Sequence, residues 1–451
     1  MVEQRLDSTR TSGLLSGWEV VTLGEVCQKP QYGYTTKAVS SGKIKLLRTT
    51  DITSGQVDWD GVPYCAEEPK DASKYLLQDN DIVVSRAGSV GVSHLIRQPQ
   101  KAVFASYLIR FLPYIDPQYV QYFLQSPSYW TEISENKMGI AVPNVNATKL
   151  SNIRIPVAPL NEQRRIVAKI EELFSELDNG VESLKTARAQ LQTYRQSLLK
   201  AAFEGRLTEQ WRQEKSTSKQ SPESLLKYVQ HVRYRRLCEE ADRGDAEAKR
   251  FQRKVEKHTP EHPGTDSPDG SIWVSLLEIG QMVVDCHNKT APYEDDGVLL
   301  IRTPCVRDGK INFDEEIRYV SEETYDYWSR RCPPRPGDII FTREAPMGEA
   351  GIIPEGVRLC MGQRMMLIRP PEGINAKYLL YCLLEPGFQE RMTRKAIGTG
   401  VKHLRVGDVE NLCIPLFALE EQNKIVEELD AKLSSLESIE ETVQKSLERT
   451  E

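Results

Sequence analysis

Three stretches of this chain, and its scattered cysteines, hold side chains whose types and spacing could do chemistry. Asp116-Pro117-Gln118-Tyr119 approximates the Asp-Pro-Pro-Tyr loop with which an aminomethyltransferase grips its target base. Such an enzyme also needs a glycine-rich strand-to-helix turn for adenosylmethionine, and none accompanies it. His258-Thr259-Pro260-Glu261-His262 spells the H-x-x-E-H order of a zinc peptidase. That motif works only on a helix, which brings both imidazoles to one face, and Pro260 and Pro263 forbid the helix. Gly42-Lys43 ends like a phosphate-binding loop, but Lys37 stands where the loop needs its first glycine. The nine cysteines include no C-x-x-C pair, which excludes a zinc ribbon or a redox dithiol and predicts reduced, buried thiols. No Ser-His-Asp or Cys-His arrangement stands out among six histidines. The reading is therefore a chain without catalytic or metal-binding residues.

With no active site to position, the elements themselves become informative. The chain has 451 residues, too many for one compact core, which predicts two or three domains. It opens MVEQRLDSTR with no apolar stretch and has no run long enough to span a bilayer, so a cytoplasmic, non-membrane protein is expected. The net charge is −6, and residues 419–451, with ten acids and four bases, account for all of it. The rest is near neutral, so charge neither requires nor excludes nucleic acid.

A large internal repeat decides the architecture. Ile155-Pro156, Leu160, Glu162-Gln163 and Ile166-Val167 recur as Ile414-Pro415, Leu419, Glu421-Gln422 and Ile425-Val426, each 259 residues later. Tyr119, Tyr122 and Pro127 recur as Tyr378, Tyr381 and Pro386 at the same offset. Asp81-Ile82, Arg86 and Gly91 match Asp338-Ile339, Arg343 and Gly348 at 257, and Arg48-Thr49 and Gly55 match Arg302-Thr303 and Gly309 at 254. The chain is two copies of one module. The Asp-Pro-Gln-Tyr loop has as its counterpart Asn375-Ala376-Lys377-Tyr378, without the Asp or the Pro, which argues further against catalysis there.

Each copy begins with short apolar runs punctuated by Gly and Pro, such as Asp81–Ser85 and Asp338–Thr342, which read as buried strands. Each then ends in an amphipathic helix. Ile166, Ile170, Leu173, Leu177, Val181, Leu184, Leu191 and Leu198 step by threes and fours, with Gly205 as the stop. Ile425, Leu429, Leu433, Leu436, Ile439, Val443 and Leu447 do the same at the C-terminus. Two such stripes are expected to pack on each other, and a repeat related by a two-fold axis favours an antiparallel coiled coil. Pattern alone leaves the direction open. Residues 208–272 read as a polar connector with a charged helix, in which Arg233-Tyr234-Arg235-Arg236 is expected on a solvated face.

The repeat, the Ile-Pro…Leu-x-Glu-Gln-x-x-Ile-Val entry into a long helix, and Leu199–Thr208 (LKAAFEGRLT) together resemble the specificity subunits of type I restriction-modification systems. The resemblance covers about residues 18–445. It implies an α+β fold of two similar α/β target-recognition domains related by a pseudo-two-fold repeat and separated by two long helices. The boundaries would be an N-terminal extension 1–17, domains 18–159 and 273–418, spacer helices 160–207 and 419–451, and the connector 208–272. Each domain would read one half of a split site in double-stranded DNA. The helices would set the gap and dock two modification (methyltransferase) subunits, with restriction/translocase subunits completing the complex. Adenosylmethionine, ATP and Mg would sit on those partners, none on this chain. The alternatives are a self-contained DNA-modifying enzyme and a coiled-coil assembly adaptor without a nucleic-acid role.

Polar loop residues inside each copy are the candidate DNA contacts. In the first they are Tyr32, Tyr34, Thr36, Lys37, Arg48, Ser85, Arg86, Ser89, Lys137 and Asn144. In the second they are His287, Asn288, Lys289, Arg302, Thr342, Arg343, Gln363, Arg364, Lys395, Thr399 and Lys402. Arg86 and Arg343 match between copies and so point to a shared job, a phosphate contact or a structural pair. Residues that differ are the candidates for reading sequence.

Overall fold

A computed structural model of the chain describes residues 15–136, 144–214, 220–287, 289–314 and 317–450. It forms two compact units, residues 1–180 and 181–451. Most of residues 1–17, together with Lys137 and Asn288, lies outside the described residues.

In the first unit Glu19–Thr22 pairs antiparallel with Arg154–Val157 and closes the domain. Between them lies a four-stranded sheet ordered Gln31–Tyr32, Leu108–Phe111, Ile82–Ser85, Ser93–Leu95. Beside it Lys45–Leu47 runs parallel to Ala102–Phe104. The second unit repeats the plan. Ser271–Ser275 pairs with Cys413–Phe417. The four-stranded sheet is Met282–Asp285, Met365–Arg369, Ile339–Arg343, Met347–Ile352, and Val298–Ile301 runs parallel to Leu359–Met361. The central strands are buried on both faces, which is why they read as continuous Val/Ile/Leu runs instead of alternating.

The repeated residues hold matching joints. Tyr119 donates its hydroxyl to Pro156 O at 2.6 Å, and the wholly buried Tyr378 donates to Pro415 O. Gln163 donates to Ala158 O while its own amide oxygen accepts from Asp116 N, and Gln422 does the same with Phe417 O and Asn375 N. Each Gln thus ties the start of a long helix to the strand before it and to a short helix of its own domain. Replacing Tyr378 with Phe keeps the packing and removes only the donor. It is expected to lower unfolding free energy by about 1–2 kcal/mol, measured by denaturant titration, and an unchanged midpoint would show that the joint is dispensable.

The central helix spans Leu160–Phe203, 44 residues or about 66 Å. It ends where Gly205 takes φ +76° and Arg206 and Leu207 donate back to Ala201 O. The LKAAFEGRLT element is this stop and what it holds. Leu198, Leu199, Ala202 and Phe203 are buried in the second unit's core, Thr208 is buried, and Thr208 and Arg212 both bind Glu421 on the C-terminal helix Leu419–Glu448. Arg195 lies 3.8 Å from Glu437 and 3.7 Å from Glu440. Higher numbers on one helix meet lower numbers on the other, so the pair is antiparallel.

The pairing is shorter than the stripe predicted. Val181, Leu184 and Leu191 are half-buried and Leu198 fully so; on the C-terminal helix Ile425, Leu429, Leu433, Leu436 and Val443 are buried and Leu447 is half-buried, and Leu191, Leu198, Leu429, Leu433 and Leu436 share one core. Leu173 is 50% exposed and Leu177 and Ile439 are also exposed. Ile166 packs on the first unit's own core and Ile170 is half-buried. A 30-residue partner is too short to cover a 44-residue helix, so the first part of the stripe serves its own domain instead.

The connector also departs from expectation. Helices Pro222–Asp242 and Ala246–Glu256 bury Leu225, Val229, Leu237 and Phe251 in the second unit's core. Arg233, expected on a solvated face, is only 5% exposed and donates to Leu277 O and Gly280 O at 2.7 and 3.0 Å. Leu225, Val229, Arg233 and Leu237 share one face at four-residue steps, and burial follows that face irrespective of charge.

Candidate nucleic-acid interface

The same backbone joints bring the candidate loops together in each unit. In the first, Arg86 N donates to Tyr107 O, Ala105 N to Leu47 O, Tyr34 N to Phe104 O and Val145 N to Arg86 O, all at 2.8–2.9 Å. Tyr32, Tyr34, Arg48, Arg86, Tyr107 and Asn144 thereby gather at one end of the sheet. A Cβ on Gly33 would lie 2.2 Å from Ala105 O, so only glycine lets these two loops approach. In the second unit Arg343 N donates to Arg364 O at 2.9 Å, Gly362 N to Ile301 O at 2.8 Å and Leu404 N to Arg343 O at 3.1 Å. These are the same joints at offsets of 257, 254 and 259–257.

Of the matched arginines, Arg343 is held within the fold and Arg86 stays half-buried. Arg343 is buried and donates Nη1 to Leu404 O at 2.9 Å. Arg86 lies over the Tyr32 ring at 5.1 Å, and Tyr32 accepts from Ala147 N through its hydroxyl. Ser85 and Thr342 correct the expected contact set further. Both are fully buried, with Ser85 Oγ on Ala87 O and Thr342 Oγ1 between Glu349 O and N, because they lie in central strands covered on both faces. None of Ser85, Thr342 or Arg343 can reach a base from these positions. Lys395 is held by Glu261 of the connector at 3.0 Å, away from the converging loops' own contacts.

The remaining candidates stay on the surface. Arg48 is chelated by Asp51 at 2.7 and 3.1 Å, which holds its guanidinium above the usual arginine range, yet it keeps an exposed edge. Thr36 accepts from Glu67 N, Asn144 bridges Ala87, and Lys37 and Ser89 are exposed. Thr399 and Lys402 are exposed on a loop closed by Ile397 and His403. His287 stacks on Trp328 at 4.9 Å near exposed Lys289; burial, then the charges of Arg330, Lys289 and Arg331, push its imidazole below the usual range. Arg302, Gln363 and Arg364 line one cleft of about 330 Å³ with Tyr293, Thr303 and Glu344. Arg364 is paired with Glu344 at 2.9 Å.

One surface residue escaped the sequence reading. Tyr107 is 61% exposed and stands at the position that Arg364 holds in the second unit, its carbonyl making the same bond. The offset of 257 that pairs Arg86 with Arg343 pairs Tyr107 with Arg364, and it would have found it.

The stretches that resembled enzyme motifs are ordinary in place. His258 binds Ser275 and His262 binds Glu278, outside any helix, and no group of metal-ligating side chains occurs among the described residues. Eight of the nine cysteines are buried, and burial pushes the Cys27 and Cys360 thiols up to about 12.

The family model for the type I restriction modification DNA specificity domain matches residues 15–186 and 306–449, one segment in each repeat. The chain belongs to that family. The EcoBI specificity subunit of Escherichia coli is 23% identical over 410 residues, covering 90% of this chain and 76% of its own length. The EcoKI specificity subunit of E. coli K12 is 29% identical over 197 residues, 40% of this chain and 41% of its own. The specificity fold is shared with the HsdS subunit of Thermoanaerobacter tengcongensis, with a TM-score of 0.56 at 19% identity over 97% and 96% of the two chains. A chain from a structure of type I system assembly and conformational transition gives a TM-score of 0.59 at 20% identity over 97% and 95%. No described helix of this specificity chain is long and apolar enough to cross a membrane.

Proposed function

We propose that each unit reads one half of a bipartite duplex target, and that the chain catalyses nothing itself. The long helices set the gap between halves and dock two methyltransferase subunits. Adenosylmethionine, ATP and Mg are held by those subunits and by the restriction/translocase subunits, in the cytoplasm. The observation that carries this reading is one framework presenting different side chains at equivalent points. Tyr107 corresponds to Arg364 and Ser106 to Gln363 in the repeat, in loops held by the same backbone joints at Ala105 and Tyr107 and at Gly362 and Arg364. Arginine suits the O6/N7 edge of guanine and glutamine the N6/N7 edge of adenine, whereas phosphate contacts carry no sequence information.

Co-purification with a methyltransferase subunit, followed by a salt-dependent gel shift of duplex DNA, tests it. Methylation by the chain alone would favour a self-contained enzyme, and assembly without any shift would favour an adaptor. Gln363→Ala is expected to weaken target binding by about 1–3 kcal/mol and relax one position of the second half only. Binding panels with single-base changes read this out, and relaxation in both halves would sink the assignment.

A further inference from the structure

The repeat supplies its own control for an excess of charge in the second unit. In the first unit the buried Asp81 meets Arg110 at 3.3 Å and accepts from Gln78 N at 2.9 Å. In the second, Asp338 takes two bonds of 2.7 Å from Arg369 and accepts from Arg335 N at 3.0 Å. The joint is the same, but arginine replaces glutamine at the third position. The connector helix then adds Arg233 and Arg236 beside it. These groups line an open cleft of about 500 Å³ with rigid walls at Pro336, Pro370 and Pro371.

The charged groups lining the cleft are Arg233, Arg236, Arg335 and Arg369 against Asp338 and Glu372. Asp338 is satisfied by Arg369; the Arg335 side chain lies 4.0 Å from it and donates Nη2 to Gln281 Oε1 at 3.4 Å. Arg236 leans on Glu240 at 2.7 Å, outside the cleft. Arg233 spends its Nη1 on two carbonyls, and no carboxylate lies within ion-pair distance of it among the described residues. Burial, then the charge of Arg369, pushes the Arg335 guanidinium below the usual arginine range; Asp338 opposes this and Arg236 adds to it. The first unit builds the same Asp–Arg joint with Gln78 at the place of Arg335, so the joint itself does not require that third arginine.

We infer that this cleft binds a phosphate group, gripped by Arg236 and Arg335 over the fixed charge of Arg233. Two guanidinium forks match phosphate oxygens in bidentate geometry, and an anion relieves the repulsion among the arginines. The phosphate belongs either to duplex backbone outside the target or to a free phosphorylated small molecule. The inference does not depend on half-site reading, because a free anion needs no target.

Calorimetric titration of the full chain with inorganic pyrophosphate tests it, alongside anisotropy of a duplex lacking the target at several salt concentrations. Arg335→Gln installs the residue that the first unit carries, and Arg236→Gln completes the double variant; unchanged thermal midpoints check the fold. One pyrophosphate per wild-type chain, at least about tenfold weaker in the double variant, supports a free ligand. Silence with pyrophosphate, but a salt slope reduced by about 1–2 in the double variant, supports backbone phosphate. Equal pyrophosphate binding by wild type and variant, or no change in either measurement, overturns the proposal.

Discussion

A chimaera carrying residues 18–158 from another family member is expected to direct methylation to sites with one new half and one unchanged half. The boundaries follow from the closing strands. Glu19–Thr22 and Arg154–Val157 are hydrogen-bonded partners, so both must come from the same parent. Gln163, which joins the short helix at Asp116 to the start of the long helix, stays with the recipient and finds the same backbone groups in the donor domain. Each mismatched base pair costs about 1–3 kcal/mol. A half-site changed at two or more positions should therefore be discriminated by at least about thirtyfold against the parental sequence. Genome-wide mapping of methylated sites reads the outcome, and a change in both halves would defeat the modular reading.

Inserting seven residues between Glu171 and Gly180 is expected to lengthen the gap between half-sites while leaving both halves intact. Every side chain from Glu171 to Gly180 is exposed, and a Cβ on Gly180 would touch nothing within 4 Å, so the added turns displace no core. Leu191, by contrast, packs against the second unit's core and would be pulled out of register by an insertion beside it. Seven helical residues add about 10 Å and a rotation of only about −20°. That length corresponds to about three base-pair steps of 3.4 Å. A preferred gap lengthened by about one to three base pairs would support the helix as a ruler, and an unchanged gap would refute it.

Much of the candidate interface was legible because duplication is a property of the letters themselves. The offsets that align Arg86 with Arg343 located the converging loops before any coordinate did. Surface and interior could not be separated in the same way. Ser85 and Thr342 are polar and sit next to arginines, but they lie in central strands covered on both faces, and only the elements that pack on those strands decide that. Arg233 was misjudged for a related reason. A helix face is buried by what packs on it, and Leu277 and Gly280, which receive its donors, come from more than 40 residues away.

The sequence by itself determined the two copies, the strand-rich modules, the long helices and the Gly205 stop, since periodicity and backbone sterics act locally. Tertiary structure decided how much of each stripe is covered, because a 30-residue helix cannot shield a 44-residue one. It also decided the antiparallel direction, through Arg195 with Glu437 and Glu440 and through Thr208 and Arg212 with Glu421. Apolar steps of three and four are the same read forwards or backwards; only paired charges and the latch at the helix end break that symmetry.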